Sequence, residues 1–334
     1  MKTFDFRHAE TIDDAIQAAT MPGAKYLAGG TNLIDLMKGG VEQPTSLIDL
    51  RRVGLTSIAA TDAAGVFIEA GVTNSALANH PLIRTHYPVV SQAILSGATT
   101  QLRNMATTGG NLLQRTRCPY FMQTAFSECN KRTPGSGCAA RTGFHREHAI
   151  FGASEHCVAI HPSDMAVALA ILDGVVHVQN SGGRRSIPIA RFFAHPGNTP
   201  DVDNTLEPHD LILGIELPPS VFADHSWYLK VRDRHSYAFA LVSVAVGLQI
   251  EDGVITAAAI ALGGVAAAPW RLYDAESSLI GRRPDAQAFH AAADTAMTGA
   301  QPLPQNAFKV DLSRHSIVRA LNLAAVDRSG EASH

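Results

Sequence analysis

Residues 24–50, AKYLAGGTNLIDLMKGGVEQPTSLIDL, decide how this chain begins to fold. A short apolar run ends at Ala28, Gly29-Gly30-Thr31-Asn32 supplies a turn, LIDLMK carries helical spacing, and SLIDL reads as a second strand. Strand, turn, helix and strand in so short a stretch predict a compact parallel βαβ unit. Just upstream, Thr11 is placed to cap a helix IDDAIQAAT. Its Asp13 and Asp14 lie where the helix dipole favours negative charge, and Pro22-Gly23 ends it.

Downstream, from Leu55 to Gly183, short strands (VFIEAGV, VVHVQ) mix with two helical stretches, PVVSQAILSGA and SDMAVALAILDG, the pattern of an α+β lobe. After the turn-rich HPGNTPDVDNTLEPHD, the run YAFALVSVAVGLQI, the turn Glu251-Asp252-Gly253 and VITAAAIALGGVA give a strong β-hairpin signal. Three helical patterns follow: WRLYDAESSLIG, DAQAFHAAADTAMTG and RHSIVRALNLAAV. The expected division is a first lobe at 1–54, a second lobe at 55–222 with an insert at 114–160, and a C-terminal domain at 226–330, an antiparallel sheet backed by helices. No solenoid repeat or low-complexity segment breaks this plan.

The 334 residues, 46% apolar and 17% charged, suffice for a substantial core in two or three domains. Lys and Arg total 27 against 30 Asp and Glu, a formal charge of -3, so no broad basic surface is offered to nucleic acid or an anionic membrane. The longest apolar stretches, Ala238 to Leu248 and Val254 to Ala268, fall short of the roughly 20 residues of a spanning helix, so membrane insertion is not expected. MKTFDFRHAETIDDA has no apolar h-region and no twin arginine, and the expectation is a chain that leaves the cytoplasm only with a signal-bearing partner.

Gly29-Gly30-Thr31-Asn32 sits at a strand-to-helix junction, where residues without Cβ let backbone N–H groups approach an anion. A glycine pair alone is equally a tight turn. Thr107-Thr108-Gly109-Gly110-Asn111-Leu112 repeats the chemistry in the other lobe, so two loops are available to clasp a pyrophosphate. Neither has the G-x-G-x-x-G or G-x-x-x-x-G-K-[ST] spacing, which points away from NAD and ATP held in the familiar ways.

All four cysteines, Cys118, Cys129, Cys138 and Cys157, fall inside the insert, which has few aliphatic runs and six Lys or Arg against three Glu. Their separations of 10, 8 and 18 intervening residues lack C-x2-C runs, so spacing leaves open an iron–sulfur cluster, zinc, a disulfide or buried thiols. His145, His148, His156 and His161 read as structural or surface residues. No Ser-His-Asp or paired-carboxylate constellation is discernible, so no catalytic residue in the strict sense is expected.

KYLAGGTNLIDL, QLRNMATTGGNLL, SDMAVAL and YLKVRDR together resemble the FAD-binding subunits of molybdenum hydroxylases, the xanthine dehydrogenase and aldehyde oxidoreductase family, over nearly the whole chain. The cysteine insert is similar to that of the bacterial periplasmic aldehyde oxidoreductase branch, and more distantly to 4-hydroxybenzoyl-CoA reductase, whose flavoprotein subunits carry an extra [4Fe-4S] cluster. The resemblance implies an α+β fold: a two-lobed, vanillyl-alcohol-oxidase-like FAD domain and a CO-dehydrogenase-flavoprotein-like C-terminal domain. It implies FAD contacts from Lys25, Tyr26, Leu27, Ala28, Gly29, Gly30, Thr31, Asn32 and Leu33, from Thr107, Gly110 and Asn111, and from Asp164 and Lys230. It assigns Cys118, Cys129, Cys138 and Cys157 to the cluster. It further implies a heterotrimer with a large molybdopterin subunit and a small subunit bearing two [2Fe-2S] clusters, acting on aldehydes, in the periplasm by co-export. The competing readings are a self-sufficient flavin oxidase and a zinc-stabilised scaffold.

Overall fold

The computed structural model describes residues 1–326, so positions 327–330 of the expected C-terminal domain lie outside the described residues. The first lobe runs β1 (Asp5–His8), α1 (Ile12–Ala19), β2 (Ala24–Leu27), α2 (Leu33–Lys38) and β3 (Ser46–Asp49). β2 and β3 are parallel, with Ala24 opposite Ser46 and Leu27 opposite Asp49, and β1 flanks β3 on its other side. Thr11 Oγ1 caps α1 by accepting the Asp14 N–H at 3.1 Å, as its sequence indicates. The buried face of α1, Ala15, Ile16, Ala18 and Ala19, packs with Ile48 of β3.

The second lobe is an antiparallel sheet of β4 (Ile58–Ala60), β5 (Val66–Glu69), β6 (Val175–Asn180), β7 (Gly183–Pro188) and β8 (Leu211–Leu217), in the order β4-β5-β8-β6-β7. β8, LILGIEL, serves two cores. Leu211 and Leu213 join Ile48 in the first lobe, whereas Ile212, Ile215 and Leu217 enter the core of the second. A bulge at Leu213, skipped between the pairs His177–Gly214 and Val178–Ile212, shifts the alternation and lets one strand tie both lobes.

The C-terminal sheet runs β12-β11-β10-β9, built from β9 (Ser226–Val231), β10 (Val242–Glu251), β11 (Val254–Gly263) and β12 (Trp270–Arg271). Asp252 and Gly253, with φ of 50° and 75°, make the β10–β11 turn in the left-handed conformation that suits a twisted hairpin. Side-chain size differs between the faces. Ala245, Ala259 and Ala261 face the second lobe and let the helix Asp164–Ile171, apolar from Met165 onward, pack close, while Val244, Val246, Ile260 and Leu262 join the core of the C-terminal helices. Among the described residues no helix is long and apolar enough to cross a membrane.

The insert is better anchored than its composition suggests. Ile150 and Phe151 are buried in the C-terminal core and their N–H groups donate to Val265 O. Fully buried Lys309 donates from Nζ to the carbonyls of Glu147, His148 and Gly264 at 3.1, 3.0 and 2.7 Å, and Asn306 Nδ2 donates to those of His148 and Ala149. The few aliphatic runs of the insert tell mainly in its first half, where the buried apolar cluster shrinks to Leu36, Phe121 and Cys129.

Candidate functional site

Between the lobes and the C-terminal sheet lie two adjoining cavities. One, of about 370 Å3, is lined by every residue from Lys25 to Leu33 together with Thr107, Gly110 and Arg115. The other, of about 590 Å3, is lined by Asn111, Asp164 and Lys230 and extends to Cys118 and Phe239. Thr31, Asn32 and Gly110 line both, so the two glycine loops form the waist of one elongated cleft.

The loops divide the work unequally. No acceptor among the described residues takes the backbone N–H groups of Gly29, Gly30, Thr31 or Asn32, which leaves a nest of free donors at the entrance to α2. Gly30 has φ of 73°, which a side chain disfavours, and a Cβ on Gly29 would lie 1.8 Å from Met105 O. Gly29 is thus required by contact with the opposite lobe, and Gly30 by its backbone conformation. In the second loop, by contrast, the N–H groups of Thr108, Gly109, Gly110 and Asn111 go to Val72 O, Ala70 O, Thr107 Oγ1 and Thr107 O. That loop offers a wall with little of its amide chemistry, a departure from the symmetric clasp expected from sequence. Only Thr107 Oγ1 stands within 4 Å of a Cβ placed on Gly110, so this position opens to the cleft.

Asn111 leads to the far end. Its Oδ1 accepts from Ser163 Oγ at 2.6 Å, and Ser163 caps the helix that starts at Asp164. Asp164 accepts from Tyr228 OH at 2.6 Å and from Lys230 Nζ at 2.7 Å, and the lysine side chain is only 4% exposed. Tyr228 and Lys230 alternate along the edge strand β9 and so share the face toward the second lobe. Burial first, then the charge of Asp164, pushes the Tyr228 hydroxyl well above its ordinary range, which keeps it a neutral donor. Among the described residues, four that line the cleft carry a buried polar atom without a partner: Asn32 Nδ2, Asn74 Oδ1, Arg117 Nε and His148 Nδ1. The sequence reading missed Asn74, which follows the helix cap Thr73 and carries no other signal, and Tyr228, which the period-2 pattern from Lys230 makes visible.

The four cysteines converge on one small cavity walled by Phe121, Lys131 and Ala159. Cys129 and Cys138 pair across an isolated antiparallel bridge, and Asn130 Nδ2 donates to His156 O at 3.0 Å, drawing in the segment of Cys157. Arg132 Nη1 holds the carbonyls of Tyr120 and Phe121 at 2.8 and 2.9 Å, which draws in Cys118. All four thiols are free, so the disulfide alternative is not realised. Burial pushes the Cys118 thiol up to about 12 and raises that of Cys157. His148 Nε2 lies 3.1 Å from Cys118 Sγ, so this histidine is part of the cysteine site's surroundings, beyond the structural or surface role expected of it. Among the described residues no three His, Cys, Asp or Glu side chains stand close enough to hold a single metal ion.

Residues 2–220 match the FAD binding domain in molybdopterin dehydrogenase, and residues 227–324 match the CO dehydrogenase flavoprotein C-terminal domain. This chain belongs to the FAD-binding subunits of the molybdenum hydroxylase family. It is 50% identical over 323 residues, 96% of this chain and 98% of the relative, to the aldehyde oxidoreductase FAD-binding subunit PaoB of Escherichia coli (strain K12). It is 28% identical over 287 residues, 84% of this chain and 82% of the relative, to the nicotine 6-hydroxylase medium subunit of Paenarthrobacter nicotinovorans. The fold is that of the reconstituted CO dehydrogenase chain from Oligotropha carboxidovorans, with a TM-score of 0.76 at 23% identity over 97% of this chain and 98% of that one. Such a FAD-binding subunit is an oxidoreductase component whose catalysis is performed by the whole complex. The donor nest, the orphaned amides and the elongated cleft fit a dinucleotide with an anionic centre and polar ends.

Proposed function

We propose that this chain is the FAD- and [4Fe-4S]-bearing electron-transfer subunit of a molybdenum-dependent aldehyde oxidoreductase. The observation that carries this reading is the convergence of four cysteines on one cavity beside the dinucleotide cleft, in a chain half identical to an aldehyde oxidoreductase subunit. The cleft would hold FAD with its phosphates against the N–H groups of Gly29 to Asn32 and its far end near Asp164 and Lys230. FAD bound there supplies two-electron acceptance, and the protein supplies orientation and charge. Asp164 holds Lys230 in place through an ion pair in a largely buried setting, so a basic side chain stands ready for negative charge in the cleft.

Cys118, Cys129, Cys138 and Cys157 would ligate the cluster. One zinc ion needs its sulfurs on the order of 4 Å apart, and among the described residues no three such side chains stand close enough to share one ion, whereas a cluster spreads its four thiolates over several irons. The partners are a large molybdopterin subunit and a small subunit with two [2Fe-2S] clusters, in a heterotrimer carried to the periplasm by a signal-bearing partner. There, aldehyde and water give carboxylic acid, two protons and two electrons, and the electrons leave through this chain to an external acceptor. The test is flavin and iron content of the purified chain, followed by aldehyde oxidation with and without partners. One flavin, about four irons and partner-dependent turnover are expected. Stoichiometric zinc in place of iron, or turnover by the lone chain, overturns the assignment.

A further inference from the structure

The cysteine cavity and the dinucleotide cleft meet at one arginine. Arg115 is the second residue of the insert, three before Cys118. Its backbone N–H donates to Asn32 Oδ1 at 3.0 Å, its Nη1 lies 2.7 Å from Glu42 Oε1, and its Nε lies 2.6 Å from Asp203 Oδ2. Glu42 also holds Lys25 Nζ at 2.6 Å, and Asp203 holds Lys131 Nζ at 2.5 Å. Lys25, Glu42 and Arg115 line the dinucleotide cavity, and Lys131 lines the cysteine cavity. A row of alternating charges therefore runs without a gap from one site to the other.

Its inner members are largely withdrawn from water, with side-chain exposures of 11% for Glu42, 21% for Arg115 and 28% for Asp203, and the end member Lys131 is 7% exposed. Burial alone raises the carboxyls of Glu42 and Asp203, yet the flanking cations hold both below the usual range. Lys25, 44% exposed, can reach water, but an inner member cannot move without leaving a largely buried charge short of a partner, which is costly. Ordering at one end is thereby passed to the other, with no change of fold needed.

We propose that Arg115 is a positioning residue shared by both sites, and that filling of the cysteine cavity and retention of FAD strengthen each other through the Lys131–Asp203–Arg115–Glu42–Lys25 row. This rests on the FAD and cluster assignment above. A group ligated by the four thiols fixes the wall that carries Lys131, and through Asp203 and Arg115 it fixes Asn32 and Lys25. Linkage makes the effect reciprocal, so bound FAD tightens the hold of the cysteines on iron by the same factor.

The test uses the full chain, iron-loaded and after chelation of its iron, titrated with FAD by flavin fluorescence, with the iron retained at equilibrium against a graded chelator compared in the presence and absence of FAD. Loaded wild type should bind FAD about tenfold more tightly than the iron-free form. Asp203→Asn, nearly isosteric, should bring the two forms within about twofold, and Glu42→Gln serves where that variant does not fold. Lys230→Met, outside the row, should weaken FAD in both forms by the same factor. A merely structural Asp203 would weaken both forms alike and keep their ratio, and that result overturns the coupling. Equal FAD affinity of the two wild-type forms also overturns it while leaving the cofactor assignment in place; a chain that takes up neither iron nor FAD overturns both.

Discussion

Gly110→Ala separates binding from folding. The added methyl meets only Thr107 Oγ1, at 3.0 Å, and otherwise points into the cleft. In the short helix Thr108–Leu112, replacing glycine by alanine gains about 0.5–1 kcal/mol of backbone entropy. A small shift of the Thr107 hydroxyl takes part of that back, so the flavin-free variant should match or slightly exceed wild-type stability. A methyl intruding on a fitted ligand costs about 1–3 kcal/mol, or roughly 5- to 150-fold in FAD affinity. Gly29→Ala should show the opposite balance: its Cβ would stand 1.8 Å from Met105 O, and the lobes must part to accommodate it. We expect at least about 3 kcal/mol of destabilisation there, visible before any FAD is added. Urea unfolding of the flavin-free chains, paired with FAD titration, reads both quantities. Wild-type FAD affinity in stable Gly110→Ala would refute the placement of the dinucleotide against the second loop.

Lys230→Met leaves Asp164 buried without its cation and should cost about 3–5 kcal/mol of stability by urea unfolding; a loss below about 1 kcal/mol would show that the pair is solvated. Burial pushes the His161 imidazole down to about 4, with its Nε2 3.2 Å from Leu112 O. Because the unfolded chain takes up this proton near pH 6.5 and the folded one does not, stability should fall by on the order of 3 kcal/mol between pH 6.5 and 4; His161→Gln should flatten that slope, and an unchanged slope would count against it. Lys309→Met strands three carbonyls and should destabilise by about 2–4 kcal/mol while exposing residues 144–150 to protease; unchanged cleavage would show that the insert is held by other means.

The first lobe and the hairpin were legible because each rests on local rules. Thr11 caps, Gly30 turns and Asp252-Gly253 reverses the chain with side chains and φ values that the sequence announces. β8 was not foreseen, because LILGIEL is buried on both faces and bulged at Leu213, so the alternation that marks a strand is absent from it. The same physics hid the anchoring of the insert. Lys309 in sequence is an ordinary helix lysine, and its three carbonyl partners come from two distant segments.

The site was legible where chemistry is concentrated in a motif and illegible where it is assembled by topology. Both glycine loops and all four cysteines stand out by composition, and the structure brings the loops to one waist and the cysteines to one cavity. Asp164 and Lys230 are separated by 66 residues and become a pair only because small side chains let the helix Asp164–Ile171 lie close to the C-terminal sheet, with β9 at its edge. Residues of that kind enter a sequence reading by resemblance or not at all. Arg115 is the clearest case: counted in sequence as one of six basic residues in the insert, it is in space the one that touches Asn32, Glu42 and Asp203 at once. The basic excess of the insert is thus only partly available to offset a cluster's charge. Arg115 and Lys131 are already committed to Glu42 and Asp203, and Arg146 to Asp233. At the cysteine site itself Lys131 serves twice, standing at the cavity wall beside the thiols while it holds the row that leads to the flavin cleft.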